Sequence, residues 1–296
     1  MDEAMRQEEI EPLFEDENKV KKEKLSVASR YMSFLVKVRS KPMRVRLPSG
    51  TTTEASAITE IPKISDPNIE EVEVTPIEEP YSFVRIKYDT VAGEYLYEVI
   101  EPMLTEDEHN VLDLLKSSLI ISLNLAETND LEQKRDILNK ATERVLSKLN
   151  VNLNPISKER ILYFLRRDFT GYGVINVMMF DPSIEDASCD GVGIPLYIYH
   201  RKYGSIKSNI TFDDEQELDA YVVWLAQKCG KHISVANPLL DATIPDGSRL
   251  NATLGKHVTK RGSSFTIRRF KDNHFTPVDL LKFKTMSTEM MSYLWI

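Results

Sequence analysis

Residues 238–270 read PLLDATIPDGSRLNATLGKHVTKRGSSFTIRRF and have the pattern of a β-hairpin followed by a third strand. Asp246-Gly247 separates two runs in which apolar and polar residues alternate. Asp-Gly is a strong signal for a tight turn, because glycine accepts the positive φ that such turns require. A basic loop bounded by glycines then leads to another alternating run that ends at Phe270. The stretch therefore predicts antiparallel strands joined by short connections.

Positive charge is concentrated in this stretch. There is no Asp or Glu between residues 249 and 271, and the basic residues are Arg249, Lys256, Lys260, Arg261, Arg268, Arg269 and Lys271. Guanidinium groups suit phosphate oxygens because they stay charged and donate through a planar fork. If Arg249 and Arg268 lie on paired strands, they can converge on one phosphate. The alternative is a solvated sheet face whose arginines pair with acidic residues elsewhere.

Neighbouring residues narrow the set of candidates for an anion site. Arg268 and Arg269 must point to opposite faces if they lie on a strand, so at most one of them can serve the site. Asp241 and Asp246 are candidate acid/base groups, but Asp before Gly in a turn is usually structural. The histidines are scattered, and we expect each to be a surface or core residue; they are His109, His200, His232, His257 and His274.

The chain as a whole has the opposite charge. Its 296 residues carry a formal net charge of −8, which argues against a protein that coats nucleic acid. This length predicts two domains with tails, and two cysteines, Cys189 and Cys229, are too few for a disulfide framework and indicate a reducing cytosol. We find neither a signal-peptide pattern nor an apolar run of roughly 20 residues, so the sequence predicts a soluble protein.

The first 80 residues predict tails and linkers. Residues 1–24 hold nine acidic and five basic side chains and predict a frayed, partly disordered tail or a loose helix. Residues 25–53 reverse the sign and indicate either a membrane-surface or partner-docking segment or a short basic strand or helix lying on the acidic remainder. Residues 54–80 are acidic and contain four prolines, which predicts an extended linker.

Residues 81–170 predict a β-hairpin followed by a three-helix docking region. The runs SFVRIKYD and EYLYEVI alternate on either side of a glycine and predict the hairpin. Thr105 and Glu108 have the spacing of a capping box, which predicts a helix start. Thr128 is expected to cap a second helix, and a third is predicted over Ser157–Phe169. Three short amphipathic helices bury one shared face when they form a small bundle.

Residues 171–285 predict a second, α+β domain. One helix is expected to begin in the capping sequence Asp213-Asp-Glu-Gln216 and to end at Gly230. Its apolar stripe consists of Leu218, Tyr221, Val222, Leu225 and Ala226. The strands predicted before those of the 238–270 stretch lie at 185–189, 195–201 and 205–212. Residues 286–296 predict the start of a linker and of a last helix, capped by Ser287, that leads into a further domain.

Several common catalytic motifs do not occur in the sequence. The Gly-Lys pairs at 230–231 and 255–256 are each followed by His and lack the earlier glycine of G-x-x-x-x-G-K-[ST], so they form no P-loop. The motifs H-E-x-x-H, C-x-x-C and G-x-S-x-G are also missing. The sequence therefore gives no support for zinc hydrolysis or serine-hydrolase chemistry, and we expect no metal site.

From about residue 170 to 296 the sequence resembles the ATPases of type II secretion, type IV pili and the archaeal flagellum, especially their archaeal branch. The residues that carry the resemblance are GYGVINVMMFDPSIEDASCDGVGIPLYIYHRKYGSI, AQKCGKHISVANPLLDATIPDGSRLNATLG, TKRGSSFTIRRF and FTPVDLL. A weaker likeness extends back through YEVIEPMLTEDE near residue 97. These motifs are long and occur in order.

The resemblance implies a fold and a site. It implies a helical N-terminal region followed by a PAS-like α+β domain, with a mainly antiparallel sheet and flanking helices, before a RecA-like ATPase domain that is missing here. In that family six subunits form a ring and bind ATP with Mg²⁺ between the two domains. By motif, Arg249 and Arg268 would reach the phosphates in an arginine-finger role, and Arg261 is a third candidate. Without a P-loop, this chain should hold no ATP and hydrolyse none by itself.

The resemblance also implies partners and a location. We expect a cytoplasmic homo-hexamer in the full-length protein, held peripheral to the membrane by a polytopic platform protein, without insertion of its own and without nucleic acid. One alternative is a non-enzymatic adaptor that binds the platform protein through the same sheet. Another is a nucleic-acid binder that uses the basic hairpin, although the acidic balance and the lack of interleaved aromatic residues argue against it.

Overall fold

A computed structural model describes residues 58–122, 131–149, 151–270 and 276–295. The predictions for the charged tail and for the basic segment 25–53 lie outside these residues, as does the helix cap expected at Thr128.

Nine strands form one open sheet in the described part of the chain, and their order in space differs from their order in the sequence. In space they follow the order β1-β2-β3-β6-β5-β4-β9-β8-β7. Neighbours are antiparallel except for β3 and β6, which are parallel. The strands are β1 (Ile69–Glu78), β2 (Ser82–Asp89), β3 (Glu94–Ile100), β4 (Ile184–Cys189), β5 (Pro195–His200), β6 (Gly204–Thr211), β7 (Leu239–Thr243), β8 (Arg249–Thr253) and β9 (Ser264–Arg268).

Seven α-helices accompany this sheet within the described residues. They are α1 (Glu106–Ser122), α2 (Leu131–Lys148), α3 (Pro155–Phe169), α4 (Asn176–Phe180), α5 (Glu215–Lys228), α6 (Pro277–Lys282) and α7 (Thr288–Trp295). The predicted α+β class with a mainly antiparallel sheet is confirmed.

Strand β1 corrects part of the linker prediction for residues 54–80. Residues 69–78 pair with β2 and form the edge of the sheet, where a proline is tolerated because one row of backbone groups faces solvent. The acidic character of β1 is balanced across the sheet: Arg85 of β2 lies 3.3 Å from Glu71 and 2.5 Å from Glu98 of β3. Charges and prolines indicated a linker, but the edge position and these opposite charges allow a strand.

The predicted hairpin over residues 81–100 is confirmed as β2 and β3. It belongs to the same sheet as the later strands, because Leu96 and Tyr97 of β3 pair in parallel with Lys207 and Ser208 of β6. The sheet therefore crosses the predicted domain boundary between residues 170 and 171. The predicted boundaries of the independently folding domains stay a prediction.

Helices α1, α2 and α3 form the predicted bundle. The Thr105 backbone N–H donates to the Glu108 carboxylate at 2.8 Å, and the Glu108 N–H donates to the Thr105 hydroxyl at 3.3 Å, so the capping box is confirmed. Helix α3 begins two residues before the predicted start, with Asn154 as N-cap and Pro155 in the first turn. The shared core consists of Val111, Leu112, Leu115, Leu119, Leu138, Leu146, Ile161 and Leu165.

Helix α5 covers one face of the sheet. Asp214 caps it by accepting from the Glu217 N–H, and all five residues of the predicted apolar stripe are buried. This helix packs on inward-facing residues of the central and last strands, among them Ala187, Ile198, Leu250, Phe265 and Ile267. The strands alternate between buried and exposed residues, so their other face is open.

A buried group of charges joins the helical bundle to the sheet. The Lys116 ammonium lies 2.6 Å from the Asp168 carboxylate, and the Arg167 guanidinium contacts Asp168 at 2.8 Å and Glu101 at 2.6 Å. The Tyr163 hydroxyl donates to Glu101 at 2.7 Å. Because Glu101 directly follows β3 while the others lie on α1 and α3, these contacts fix the position of the bundle against the sheet.

The last helix begins where the sequence predicts, and α6 before it also has a capped start. Thr276 and Asp279 form a capping box around Pro277, and the Met290 N–H donates to the Ser287 hydroxyl at 3.2 Å. Across the described residues no helix combines the length and the apolar character needed to cross a membrane.

Candidate functional site: an arginine pair on the open sheet face

The β7–β8 hairpin that carries the candidate site is set by the Asp246-Gly247 turn. Gly247 has φ of +90° and donates its N–H to the Ile244 carbonyl, while the Asp246 carboxylate accepts from the Ser248 N–H at 2.9 Å. Asp246 is thus a structural turn residue, as its sequence context indicated. The turn fixes the register in which Thr243 faces Arg249, and this register places Arg249 at the first position of β8.

Replacing Gly247 with alanine should destabilise the chain by about 2 kcal/mol, because an L-residue at positive φ costs about 1–2 kcal/mol. The added Cβ would also lie 3.1 Å from the Phe270 ring. Gly255→Ala is the matched control, since Gly255 has φ of +77° but nothing within 4 Å of the added Cβ. Urea unfolding followed by circular dichroism should show a larger loss for Gly247→Ala; equal losses would contradict the contribution of Phe270.

Arg249 and Arg268 are direct partners across strands β8 and β9. Both side chains project from the open face, with exposed fractions of 68% and 75%. The predicted placement of these two arginines at paired positions of adjacent strands is confirmed, and their convergence on one phosphate stays a prediction. Directly opposed like charges repel, and the sheet places a carboxylate next to each of them. Asp241 of β7 lies 3.2 Å from Arg249, and Asp186 of β4 lies 3.0 Å from Arg268.

These ion pairs orient the guanidinium groups without locking them. Solvent-exposed ion pairs contribute only about 0–1 kcal/mol, so a phosphate that offers more oxygens can displace the carboxylates. Each guanidinium group has five N–H donors, so each keeps donors beyond those that contact its carboxylate. Such an arrangement stabilises negative charge, and its two carboxylates, Asp241 and Asp186, each contact one of the arginines.

The surface around the pair is polar and accessible. A shallow cavity of about 550 Å³ lies beside it on the open face of β7, β8 and β9. Its polar lining residues are Asp241, Asn251, Thr253, Ser264 and Thr266. The hydroxyls of Thr253 and Ser264 are 2.8 Å apart, and those of Ser188 and Thr266 are 3.2 Å apart. Neutral hydrogen-bonding groups thus flank the arginines.

The structure does not bring Arg261 to this pair. Its backbone carbonyl accepts from the Val192 N–H, beyond the end of β4 at which Cys189 pairs with Phe265. Arg268 lies at the other end of β9, and a strand of five residues spans roughly 14 Å at about 3.4 Å per residue. Arg261 therefore has no shared target with Arg249 and Arg268 inside one chain.

Arg269 points away from Arg268, as expected for neighbouring strand residues. Its guanidinium donates to the backbone carbonyls of Asp181 and Ile184. Asp186 was missed from the sequence because it precedes its partner by 82 residues, and the register of β4 on β9 has no local signal. The two adjacent acidic residues in the alternating run IEDASC, Glu185 and Asp186, were the only available indication.

His200 has the core role that the sequence indicated. It is buried, packs against the Tyr203 ring with centroids 4.9 Å apart, and accepts from the Lys202 N–H. Burial lowers the pKa of His200 below its ordinary value. Within residues 58–122, 131–149, 151–270 and 276–295, no group of three or more His, Cys, Asp or Glu side chains could hold a metal ion.

Comparisons with known proteins show which family models and relatives the chain is similar to. A family model described as PilB3-like, N-terminal, matches residues 56–103. The uncharacterized protein MJ1288 of Methanocaldococcus jannaschii is 40% identical over 175 residues, which are 59% of this chain and 69% of MJ1288. The uncharacterized protein MJ0900 of the same organism is 31% identical over 257 residues. That match covers 80% of this chain but only 45% of MJ0900.

Among solved structures, the VirB11 ATPase from the Brucella suis type IV secretion system, in complex with sulphate, is 20% identical. The match covers 36% of this chain and 32% of that chain with a TM-score of 0.29, so it carries no structural argument. Residues 56–103, which include β1, β2 and β3, are similar to the PilB3-like N-terminal family model, and with 40% identity over more than two thirds of MJ1288 this chain belongs to the family of MJ1288.

Proposed function

We propose that this chain is the regulatory and assembly region of a hexameric cytoplasmic ATPase that powers protein secretion or the assembly of type IV pili or archaeal flagella. Its chemical contribution is to supply Arg249 and Arg268 to ATP, bound with Mg²⁺ on a RecA-like domain. The observation that carries the proposal is the direct cross-strand pairing of these two exposed arginines. Two exposed arginines at paired positions of one open face suit the charge that develops on a transferred phosphoryl group.

The proposal divides the chemistry between two domains. The RecA-like domain, with its P-loop, holds the nucleotide and the metal. This chain brings the positive charges of Arg249 and Arg268 to the phosphates from a separate domain. Domain closure then decides when the arginines reach the phosphates, which couples movement to hydrolysis. A homo-hexamer provides such closures at each interface, and a polytopic platform protein would hold the ring at the membrane.

The second candidate is a non-enzymatic adaptor for the platform protein. The observation in its favour is that each arginine already has a carboxylate partner, Asp241 or Asp186, within the chain. On this hypothesis the open face binds a partner protein and the arginines only stabilise the sheet surface. The nucleic-acid hypothesis has no comparable observation.

Turnover by the separate RecA-like domain, measured with and without this chain added, distinguishes the two candidates. We expect no hydrolysis by this chain alone and a stimulation of about tenfold or more when it is added, since removing one such donor typically costs 10²–10³-fold in rate. A chain with both Arg249→Ala and Arg268→Ala should not stimulate, whereas Arg201→Ala is the control, because Arg201 is exposed on the same sheet and pairs with Glu185 at 3.5 Å. Binding without stimulation would favour the adaptor.

A further inference from the structure

A second concave site lies between the helical bundle and the turn of the β7–β8 hairpin. It encloses a cavity of about 260 Å³. Its charged lining residues are Glu78, Arg135, Arg166, Arg167, Asp246 and Arg269. We name this cavity the arginine cleft. It is separate from the arginine pair, because Arg269 points to the opposite face from Arg268.

Among the residues that the structure describes, three of the four arginines in the cleft have no carboxylate partner. Arg167 is neutralised by its ion pairs with Asp168 and Glu101. Arg135, Arg166 and Arg269 form no ion pair within 4.0 Å with a carboxylate of the residues that the structure describes. Uncompensated guanidinium groups that line one cavity attract an anion.

Helix geometry brings Arg135 and Arg166 together. The Arg166 guanidinium donates to the Asn139 side-chain carbonyl at 3.3 and 3.4 Å, which are long contacts to a neutral acceptor. Asn139 lies four residues after Arg135 on α2, so both project from the same side of that helix. The contact thus positions Arg166 beside Arg135 and leaves its charge available.

Arg269 is held on the opposite wall of the cleft by neutral groups. Its two backbone carbonyl acceptors fix the guanidinium in place but do not neutralise it. Of the two carboxylates in the lining, Asp246 is engaged by the hairpin turn through the Ser248 N–H. Three uncompensated arginines against Glu78 and Asp246 leave a surplus of positive charge.

A buried lysine behind the cleft adds to this surplus. The Lys228 ammonium donates to the carbonyl of Gly171, a lining residue, and lies 4.6 Å from the centroid of the Tyr172 ring. Burial, helped by the positive charge of Lys134, lowers the pKa of Lys228 to about 8. Lys134 directly precedes Arg135 on α2, so both lysines lie near the cavity.

We propose that the arginine cleft binds a small, soluble phosphorylated anion through Arg135, Arg166 and Arg269. The cavity is smaller than the roughly 300–1,000 Å³ of pockets for drug-sized ligands, which favours a phosphate or diphosphate group over a whole nucleotide. Planar guanidinium forks match phosphate oxygens in pairs. Since the cleft is bounded by α2, α3 and the hairpin turn, such a ligand ties the helical bundle to the strand pair that carries Arg249.

Calorimetric titration of this chain with inorganic pyrophosphate at low salt tests the proposal. We expect saturable binding that Arg135→Gln and Arg166→Gln each weaken by about tenfold or more, since a hydrogen bond to a charged group contributes about 1.5–3 kcal/mol. Arg144→Gln is the matched control, because Arg144 is an exposed arginine on α2 outside the cleft. Repeating the titration in the Arg249→Ala background removes any binding by the arginine pair, and the loss caused by Arg135→Gln should persist there, which separates this site from that of the proposed function.

Three results would overturn the proposal: no pyrophosphate binding at low salt, affinity that neither Arg135→Gln nor Arg166→Gln changes, or binding to phosphatidate vesicles without binding to pyrophosphate. Succinate should bind at least about tenfold more weakly, because a dicarboxylate offers fewer oxygens at each end; equal affinity would contradict recognition of phosphate. Arg135 is exposed, so its variant keeps the test valid if Arg166→Gln fails to fold.

Discussion

Replacing Arg249 or Arg268 with alanine in the hexameric ATPase that we propose is expected to lower turnover at saturating ATP by about 10²–10³-fold. Nucleotide affinity should change by less than about threefold. The difference arises because an arginine that approaches the phosphates only in the closed state stabilises the transition state more than bound ATP. Steady-state hydrolysis together with equilibrium nucleotide binding measures both quantities.

A conservative substitution separates the contribution of the planar guanidinium shape from that of the positive charge. Arg268→Lys keeps the positive charge but loses the planar fork, so we expect only partial recovery of turnover relative to Arg268→Ala. Thermal unfolding should be nearly unchanged in all of these variants, because exposed ion pairs contribute at most about 1 kcal/mol. Arg201→Ala again serves as the control and should hydrolyse ATP at the normal rate. Normal turnover in both Arg249→Ala and Arg268→Ala would defeat the assignment.

Asp168→Asn is expected to have the largest effect on stability, with a loss of about 3–5 kcal/mol in the free energy of unfolding. The substitution leaves the buried Lys116 ammonium without its carboxylate and removes one of the two carboxylates that contact Arg167. An uncompensated buried charge has a high desolvation cost, whereas a buried pair replaced as a unit often has little. Urea unfolding of this chain, followed by circular dichroism, measures the difference.

Two comparisons isolate the electrostatic cause of that loss. Glu143→Gln removes one partner of the exposed pair that Glu143 forms with Lys158 at 2.9 Å, and it should cost less than about 1 kcal/mol. The double variant Lys116→Met with Asp168→Leu should be more stable than Asp168→Asn, because it leaves fewer unpaired charges. If Asp168→Asn is no less stable than Glu143→Gln, the buried charges do not hold the bundle on the sheet.

The Asp168 carboxylate also makes the free energy of unfolding depend on pH. Burial by itself raises the pKa of Asp168, but the charges of Arg167 and Lys116 outweigh it and hold the pKa well below its ordinary value. The stabilisation is therefore complete above the unfolded-state pKa of about 3.9 and is lost as the pH falls through the folded-state pKa. Between about pH 5 and pH 2 the free energy of unfolding should fall more steeply in the natural chain than in Asp168→Asn.

Local patterns in the sequence predicted most of the elements. The turn at Asp246-Gly247, the capping box at Thr105 and the cap at Asp214 each involve residues within four positions of one another, and each is formed in the structure. Strand β1 escaped prediction because its proline, Pro76, and its acidic residues are locally unfavourable in a strand. They become acceptable only when β2 supplies opposite charges and the strand lies at an edge.

The candidate site was only half predictable. Alternation placed Arg249 and Arg268 on strands, and the tight turn made their pairing a reasonable hypothesis. Their carboxylate partner Asp186 and the separation from Arg261 depend on how β4 aligns with β9. The arginine cleft was not predicted at all, since Arg135 and Arg269 are far apart in sequence and belong to different elements.

The sequence by itself determined the local conformations, the surplus of positive charge after Arg249 and the absence of a P-loop from these 296 residues. Only the tertiary structure decided the order of the strands, the parallel pairing of β3 with β6 and the neighbours of each arginine. The physical reason is the separation in sequence of the residues involved. Tight turns, helix caps and hydrophobic periodicity depend on residues only a few positions apart. Strand register and side-chain convergence depend instead on the packing of segments that lie up to about a hundred residues apart.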